Sequence, residues 1–229
     1  MNPANPIKFH VLTLFPQMIF DGLNHSVIKR AIDNGIIFIN CVNIRDFAGN
    51  KHNKVDDYPY GGGTGLIMRP QPIYEAYRSI EGVDKNTIVC HLSPRGRPFT
   101  QQIAKHYAGQ SNIVFICGHY EGIDQRVIDE IATDEISIGD YVLTGGELAA
   151  MVVIDATARL VPNVLSKKEA TENESFENGL LEHSQYTRPP IFLGREVPSV
   201  LLGGNHKEIE KYRQTQAIEI TAKRRPDLL

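Results

Sequence analysis

Ile113-Val114-Phe115-Ile116-Cys117-Gly118-His119-Tyr120-Glu121-Gly122-Ile123-Asp124 is the stretch that decides how this chain folds. Its first five residues are all apolar, with no period-two alternation. So short a run fits a strand buried on both faces, as in a parallel sheet. Gly118 ends it, and an acidic, aromatic turn leads into a helical pattern from Ile123 to Ala132. Thr87 to Leu92 is a second run of the same kind, with a helix expected at Thr100 to Ala108. Upstream, Phe9 to Leu14 and Ile36 to Val42 read as strands. The helical stretch between them reaches about Asn34, where Gly35 takes the C′ position. Strands alternating with helices predict α/β layering.

The segment Asp46 to Arg69 is punctuated and holds Gly61-Gly62-Gly63-Thr64-Gly65. After it, Ile73, Ala76, Tyr77 and Ile80 recur at helical spacing. A longer helix is expected from Glu147 to about Leu160, stopped by Pro162. On it, Leu148, Val152, Asp155, Ala156 and Arg159 share one side, so a carboxylate and a guanidinium lie among core residues. From Ser166 to Asn178 the chain is polar with few anchors, as in a linker or loop. Pro189-Pro190 and Gly203-Gly204 frame irregular structure, and Lys207 to Lys223 predicts a small helical C-terminal domain.

The chain has 229 residues, 24 Lys+Arg against 27 Asp+Glu, and a net charge of -3, so affinity for nucleic acid from a uniformly basic surface is excluded. Local basic patches remain compatible with a nucleic-acid enzyme. Cys41, Cys90 and Cys117 are too few for a disulfide framework and fit a reducing compartment. No apolar stretch approaches the length of a membrane span, and Met1 to Pro16 lacks the regions of a signal peptide. A soluble, cytoplasmic protein is expected.

The glycine string contains G-x-G-x-G, but Asp56-Asp57-Tyr58-Pro59-Tyr60 precedes it in place of an apolar strand, so the dinucleotide fingerprint fails. So many glycines carry an entropy penalty, which implies that a ligand or another backbone comes close. The loops at Gly118 to Arg126 and Ser137 to Glu147 lie where open α/β sheets bind ligands, beyond strand ends. Their backbone groups suit an adenine edge and a ribose, with Ile138 and Leu143 as apolar walls. Ordinary strand-to-helix turns use the same residue types. Cys90, His91, Cys117 and His119 lack metal-site spacing and read as buried thiols with neighbouring histidines. No G-x-S-x-G or H-E-x-x-H is present.

PYGGGTG (Pro59 to Gly65), LSPRG (Leu92 to Gly96), CGHYEGID (Cys117 to Asp124), SIGDYVLTGGELA (Ser137 to Ala149) and ESFENGLLE with YTRP (Glu174 to Pro189) occur in this order. Together they closely resemble the bacterial tRNA (guanine-N1)-methyltransferases of the trefoil-knotted SPOUT class, over about Phe9 to Leu229. The resemblance implies an α/β fold with a SPOUT-type parallel sheet, a deep trefoil knot and a small helical C-terminal domain. Residues 1–164 would bind S-adenosylmethionine, 165–179 would link, and 180–229 would grip tRNA. It further implies an obligate homodimer, the guanine at position 37 beside the anticodon as target, and dependence on Mg²⁺. No DNA or membrane partner is implied.

Carried over position by position, the donor would lie against Leu92, Ser93, Pro94, Gly118, Tyr120 and Glu121. Ser137, Ile138, Gly139, Asp140, Tyr141, Val142, Leu143, Gly145 and Gly146 would complete its pocket. Asp56, Gly63 and Gly65 match positions facing the target base and tRNA, and Arg159 and Glu174 match the two catalytic positions. A carboxylate at Glu174 would take the N1 proton, and a guanidinium at Arg159 would stabilise charge developing on O6. Without the resemblance, Glu174 is one solvated acid among several and Arg159 a helix-end partner of Asp155. This chain departs from the family pattern at Glu174 (usually Asp), Thr64 (usually Pro) and His119 (commonly Arg). The added methylene moves the carboxylate by roughly 1.5 Å, and Glu169 and Glu172 are alternative bases. The tRNA surface would draw on Lys51, His52, Lys54, Lys167, Lys168 and Lys223-Arg224-Arg225. A ribose 2′-O-methyltransferase of the same class and a catalytically silent RNA-binding relative are the competing readings.

Overall fold

A computed structural model of the chain describes residues 6–166 and 174–229. They fall into two units, Met1–Ser166 and Lys167–Leu229. The strands of the first are β1 (Ile7–Thr13), β2 (Ile37–Asn43), β3 (Asp56–Asp57), β4 (Ile67–Met68), β5 (Ile88–Pro98), β6 (Asn112–Cys117) and β7 (Asp134–Ser137). Five of them form one sheet in the order β2-β1-β6-β5-β7, and every pairing in it is parallel. β3 and β4 make a separate antiparallel ribbon.

Alternate side chains along the central strands leave opposite faces, and each face has its own core. Phe9 and Val11 of β1, Cys90 and Leu92 of β5, and Ile113, Phe115 and Cys117 of β6 fill one side. Against them pack α1 (Pro16–Leu23), α2 (Ser26–Asp33), α4 (Gln101–Ala108) and α6 (Glu147–Ala158). Leu12, Val89, Val114 and Ile116 fill the other side, beneath α3 (Pro70–Arg78) and α5 (Gln125–Ile131). The expected α/β architecture is therefore present as a parallel sheet sandwiched between helices.

Several local expectations change. The helical stretch before Gly35 divides into α1 and α2, because Asn24 caps the first helix and His25 is extended. Gly35 (φ 67°) does close α2: its N–H donates to Ile32 O at 2.9 Å, and Ile36 N–H to Ala31 O at 2.9 Å. That is the Schellman arrangement expected of a C′ glycine. β5 runs on through the LSPRG segment, with a register shift between Leu92 and Arg97 in its pairing to β7. The side of α6 that carries Arg159 is not a core face. Leu148 and Val152 are exposed there, while Ala150, Val153, Ile154 and Ala158 are buried. Arg159 itself is the C-cap residue, one position beyond the last helical turn.

In the second unit, β8 (Ile191–Phe192) and β9 (Arg195–Glu196) form a small hairpin where irregular chain was expected. It is followed by α7 (Ser199–Leu202) and the long α8 (His206–Arg224), whose Asn205 cap accepts from Glu208 N–H. Thr221 of α8 is buried, and its Oγ1 accepts from Leu181 N–H at 2.8 Å. Ser175 Oγ accepts from Glu182 N–H at 2.9 Å, and the Arg225 guanidinium lies over the Phe176 ring. The chain around Glu174 is thus fastened to α8. Lys167, Lys168, Glu169 and Glu172 lie outside the described residues. No helix among the described residues is long and apolar enough to cross a membrane.

Candidate functional site

A cavity of about 1080 Å³ opens at the carboxyl ends of β5, β6 and β7, between the loops that leave them. Ligands of open α/β sheets bind in that position. Its walls include Leu92, Ser93 and Pro94 of β5, at its register shift, and Gly118, Tyr120 and Glu121 after β6. Ser137, Ile138, Gly139, Tyr141, Val142, Leu143, Gly145 and Gly146 complete it from beyond β7. Of the residues expected around the donor, Asp140 alone lies outside the lining.

Each loop is held by its own backbone bonds. Gly146 N–H donates to Gly118 O at 3.0 Å, joining the turn after β6 to the start of α6. A side chain at Gly146 would stand 2.7 Å from Cys117 Cα, so only glycine lets the two backbones approach. Ser137 Oγ donates to Gly139 O at 3.0 Å, and Tyr141 N–H to the same carbonyl at 2.9 Å. Tyr120 has φ of 59°, a left-handed conformation uncommon for a non-glycine residue.

The base of the cavity carries a charged cluster that sequence reasoning missed. His91 is buried, and its Nδ1 lies 3.2 Å from Glu135 Oε1, yet neither atom makes a well-formed hydrogen bond. Burial pushes the His91 imidazole below its usual range, while the Glu135 carboxylate opposes that shift. Arg95 reaches Glu135 at 3.6 Å and donates to Gln125 Oε1 at 3.0 Å. Beneath this cluster Arg97 pairs with Asp134, which also accepts from Tyr107 OH at 2.8 Å. The one sequence signal for the cluster was His91 directly before the LSPRG segment.

The glycine loop and Asp56 sit beside the cavity rather than in its wall. Asp56 is buried in β3 opposite Met68, while Asp57, Tyr58 and Tyr60 do line the cavity. Gly63 and Gly65 lie outside the lining, but a side chain at Gly65 would come within 2.5 Å of Glu121 Cγ. Glu121 N–H donates to Leu66 O at 3.0 Å, so the loop's end is tied to the turn after β6.

Burial raises the thiols of Cys41 and Cys90 to about 12 and Cys117 well above its ordinary value. Thiols held protonated in this way are poor nucleophiles and ligands. Among the described residues, no three His, Cys, Asp or Glu side chains are grouped to hold a metal ion.

The two expected catalytic residues stand on different units. Arg159 is half-buried in the first, its N–H donating to Asp155 O at 3.2 Å. Glu174, also half-buried, begins a turn closed by Glu177 N–H to Glu174 O at 3.2 Å. It borders a second cavity of about 480 Å³ within its own unit, together with His183 and Arg213.

The sheet, its carboxyl-edge cavity and the glycine-rich turns around it define an α/β protein with one broad pocket formed by the segments that leave the strands. The chain belongs to the family described as tRNA (Guanine-1)-methyltransferase TrmD, whose model matches residues 7–229. A tRNA (guanine-N(1)-)-methyltransferase of Alkaliphilus oremlandii is 58% identical over 225 residues, covering 96% of this chain and 90% of that protein. Proteins of the same name from Clostridioides difficile and Staphylococcus haemolyticus are 52% and 53% identical, each across 97% of this chain and 97% and 91% of their own lengths.

Proposed function

We propose that the protein transfers a methyl group from S-adenosylmethionine to N1 of the guanine at position 37 of tRNA. Methylation of guanine N1 in tRNA follows from family membership across nearly the whole chain. The observation that carries the choice of donor is the cavity at the carboxyl edge of the sheet. Its volume suits a nucleoside-sized ligand with room for the approaching base. Its apolar Ile138 and Leu143 suit the two faces of an adenine ring. Gly146 lets the start of α6 close onto the turn after β6, where a side chain would strike Cys117. The residues present therefore fit the donor.

When bound, S-adenosylmethionine supplies an electrophilic methyl group on a sulfonium sulfur. The protein's part is to bring guanine N1 to it and to manage one proton. The Glu174 carboxylate accepts the N1 proton, which turns a weak nucleophile into a competent one. Arg159, which lies outside the lining of its own unit's cavity, takes the role of the guanidinium that stabilises the negative charge developing on O6. Asp56, Gly63 and Gly65 shape the approach of the target base. The deep trefoil knot of the SPOUT class would wrap the donor. The Mg²⁺ implied by the resemblance finds no dedicated cage among the described residues.

The protein works as a homodimer, which lets Glu174 of one subunit serve the cavity of the other. The exposed apolar residues Leu148 and Val152 on α6, beside α1 with its exposed Met18 and Phe20 and the exposed cap residue Phe15, support that assembly. Residues 180–229 grip the anticodon stem-loop, where an unstacked base is open to recognition. Labelled methyl transfer to tRNA transcripts tests the whole reading, with 1-methylguanosine expected at position 37 and none when adenine replaces that guanine. Incorporation that ignores the base, or ribose methylation, overturns it.

A further inference from the structure

A buried side-chain bridge crosses behind the cavity and joins elements far apart in sequence. Thr13 at the end of β1 donates from its hydroxyl to Glu147 Oε1 at 2.5 Å. Glu147 Oε2 lies 2.8 Å from His119 Nε2. Thr13 is fully buried and Glu147 is 1% exposed, so this carboxylate has no water to fall back on. Both of its oxygens are nevertheless satisfied, and it opens α6, where the helix dipole favours an anion. The Thr13 oxygen in turn accepts from Phe15 N–H at 2.8 Å, and the Phe15 ring meets the His119 ring edge-on with centroids 5.0 Å apart.

This bridge has its two ends in the two glycine turns of the cavity. His119 directly follows Gly118, and Glu147 directly follows Gly145-Gly146. A side chain on Gly145 would collide with the His119 ring and stand 2.7 Å from Glu147 Oε2. Glycine is therefore required there for the bridge to close. The parallel backbone bond, Gly146 N–H to Gly118 O, spans the same gap. With Glu147 ionised, the contact needs a proton on His119 Nε2 and is charge-assisted.

We propose that His119 and Glu147 are positioning residues of the donor site, their bridge fixing the spacing between the Gly118 turn and the Gly145-Gly146 turn, with Thr13 locking the carboxylate. The inference rests on the donor reading of the cavity. His119 itself lines the cavity, whereas Thr13 and Glu147 do not, so those two act only through the turns they hold and the Thr13 variants separate positioning from direct contact.

The test is calorimetric titration of the full-length protein with S-adenosylmethionine, alongside steady-state kinetics. His119→Leu removes the donor N–H, whereas His119→Gln keeps one at a similar distance. Donor Kd should rise about tenfold or more in His119→Leu, the scale of one hydrogen bond to a charged group. It should stay within about threefold of wild type in His119→Gln. KM for the donor should follow Kd, while kcat at saturating donor and KM for tRNA stay near wild type. Should His119→Leu not fold, Thr13→Val and Thr13→Ser decide the matter. The first should weaken donor binding and the second restore it, with neither residue near the ligand. Wild-type affinity in folded His119→Leu or in Thr13→Val overturns the bridge while leaving the donor assignment standing. A wild-type protein that binds no donor overturns both.

Discussion

Arg97 and Asp134 face each other as a two-pronged pair, Nε to Oδ1 at 3.0 Å and a terminal nitrogen to Oδ2 at 2.6 Å. The pair fastens β5 beyond its register shift to the first residue of β7, directly under the wall of the cavity. Burial alone would raise the Asp134 carboxyl, but the hydrogen bonds from Arg97 and Tyr107 outweigh it and hold the group below its usual range. Because the folded value is the lower one, this interaction stabilises the fold above the unfolded carboxylate value of ~3.9 and is lost as pH falls further. Arg97 is 55% exposed in its side chain, so solvent screens the pair. Arg97→Met should cost about 1 kcal/mol at pH 7 and distinctly less near pH 3. Urea unfolding of both proteins at the two pH values measures the difference, and an equal deficit at both contradicts the assignment.

Gly96 sits where β5 touches β7. A Cβ there would meet the backbone of the next strand, 2.5 Å from Glu135 C and 2.6 Å from Glu135 O. Backbone cannot swing aside as a side-chain tip can. Gly96→Ala should therefore destabilise by ~3 kcal/mol, the upper part of the usual overpacking range. It should also weaken donor binding, since Ser93 and Pro94 of the same segment line the cavity. A Gly82→Ala control probes a glycine with nothing within 4 Å of the added methyl, though its φ of 77° adds local strain. Thermal melts and donor titrations that fail to separate Gly96→Ala from this control would count against the close approach.

Much of the sheet was legible in the residues themselves. The runs at Thr87 to Leu92 and Ile113 to Cys117 are buried on both faces, and such strands announce themselves by unbroken apolarity. β7 was not legible. Its Asp134 and Glu135 lack the apolarity that marks the other strands, and Arg97, Tyr107, Arg95 and His91 come from elsewhere in the sequence to meet them. The continuation of β5 was hidden likewise by Pro94, Gly96 and Pro98, which read as breakers. The outward side of α6 looked like core because Leu148 and Val152 are apolar, yet apolarity alone does not say what covers them. Around the cavity, the motifs pointed to the loops but not to the Thr13 to Glu147 contact, whose partners are 134 positions apart. Sequence spacing carries no information about such a pair.

Glu174 offers the most direct test of the chemistry. If its carboxylate takes the N1 proton, Glu174→Gln should lower kcat by ~10²–10⁴-fold, the usual worth of a positioned general base. Donor affinity should be unchanged, because the carboxylate acts on the target base and not on the donor. Glu174→Asp should retain most of the activity, since the carboxylate stays and withdraws by only about one bond length. Single-turnover methyl transfer with saturating tRNA isolates the step. Full activity in Glu174→Gln would move the role to another acid, with Glu169 and Glu172 next in line.

Val152 tests the assembly. It is 48% exposed on α6 next to Leu148 at 45%, and apolar area of this kind is costly to leave in water on a lone subunit. In a two-fold dimer each substitution is presented twice at the same interface, so Val152→Asp places like charges face to face in an apolar setting. The single chain already exposes this position, so the folded subunit itself should lose little stability, within about 0.5 kcal/mol. The expected result is a shift from dimer to monomer by sedimentation at micromolar concentration, with tRNA methylation lost because Glu174 no longer reaches its partner's cavity. Mixing Val152→Lys with Val152→Asp should bring opposite charges together and restore part of both the dimer and the activity. A wild-type protein that sediments as a monomer yet methylates tRNA would remove the need for a partner altogether.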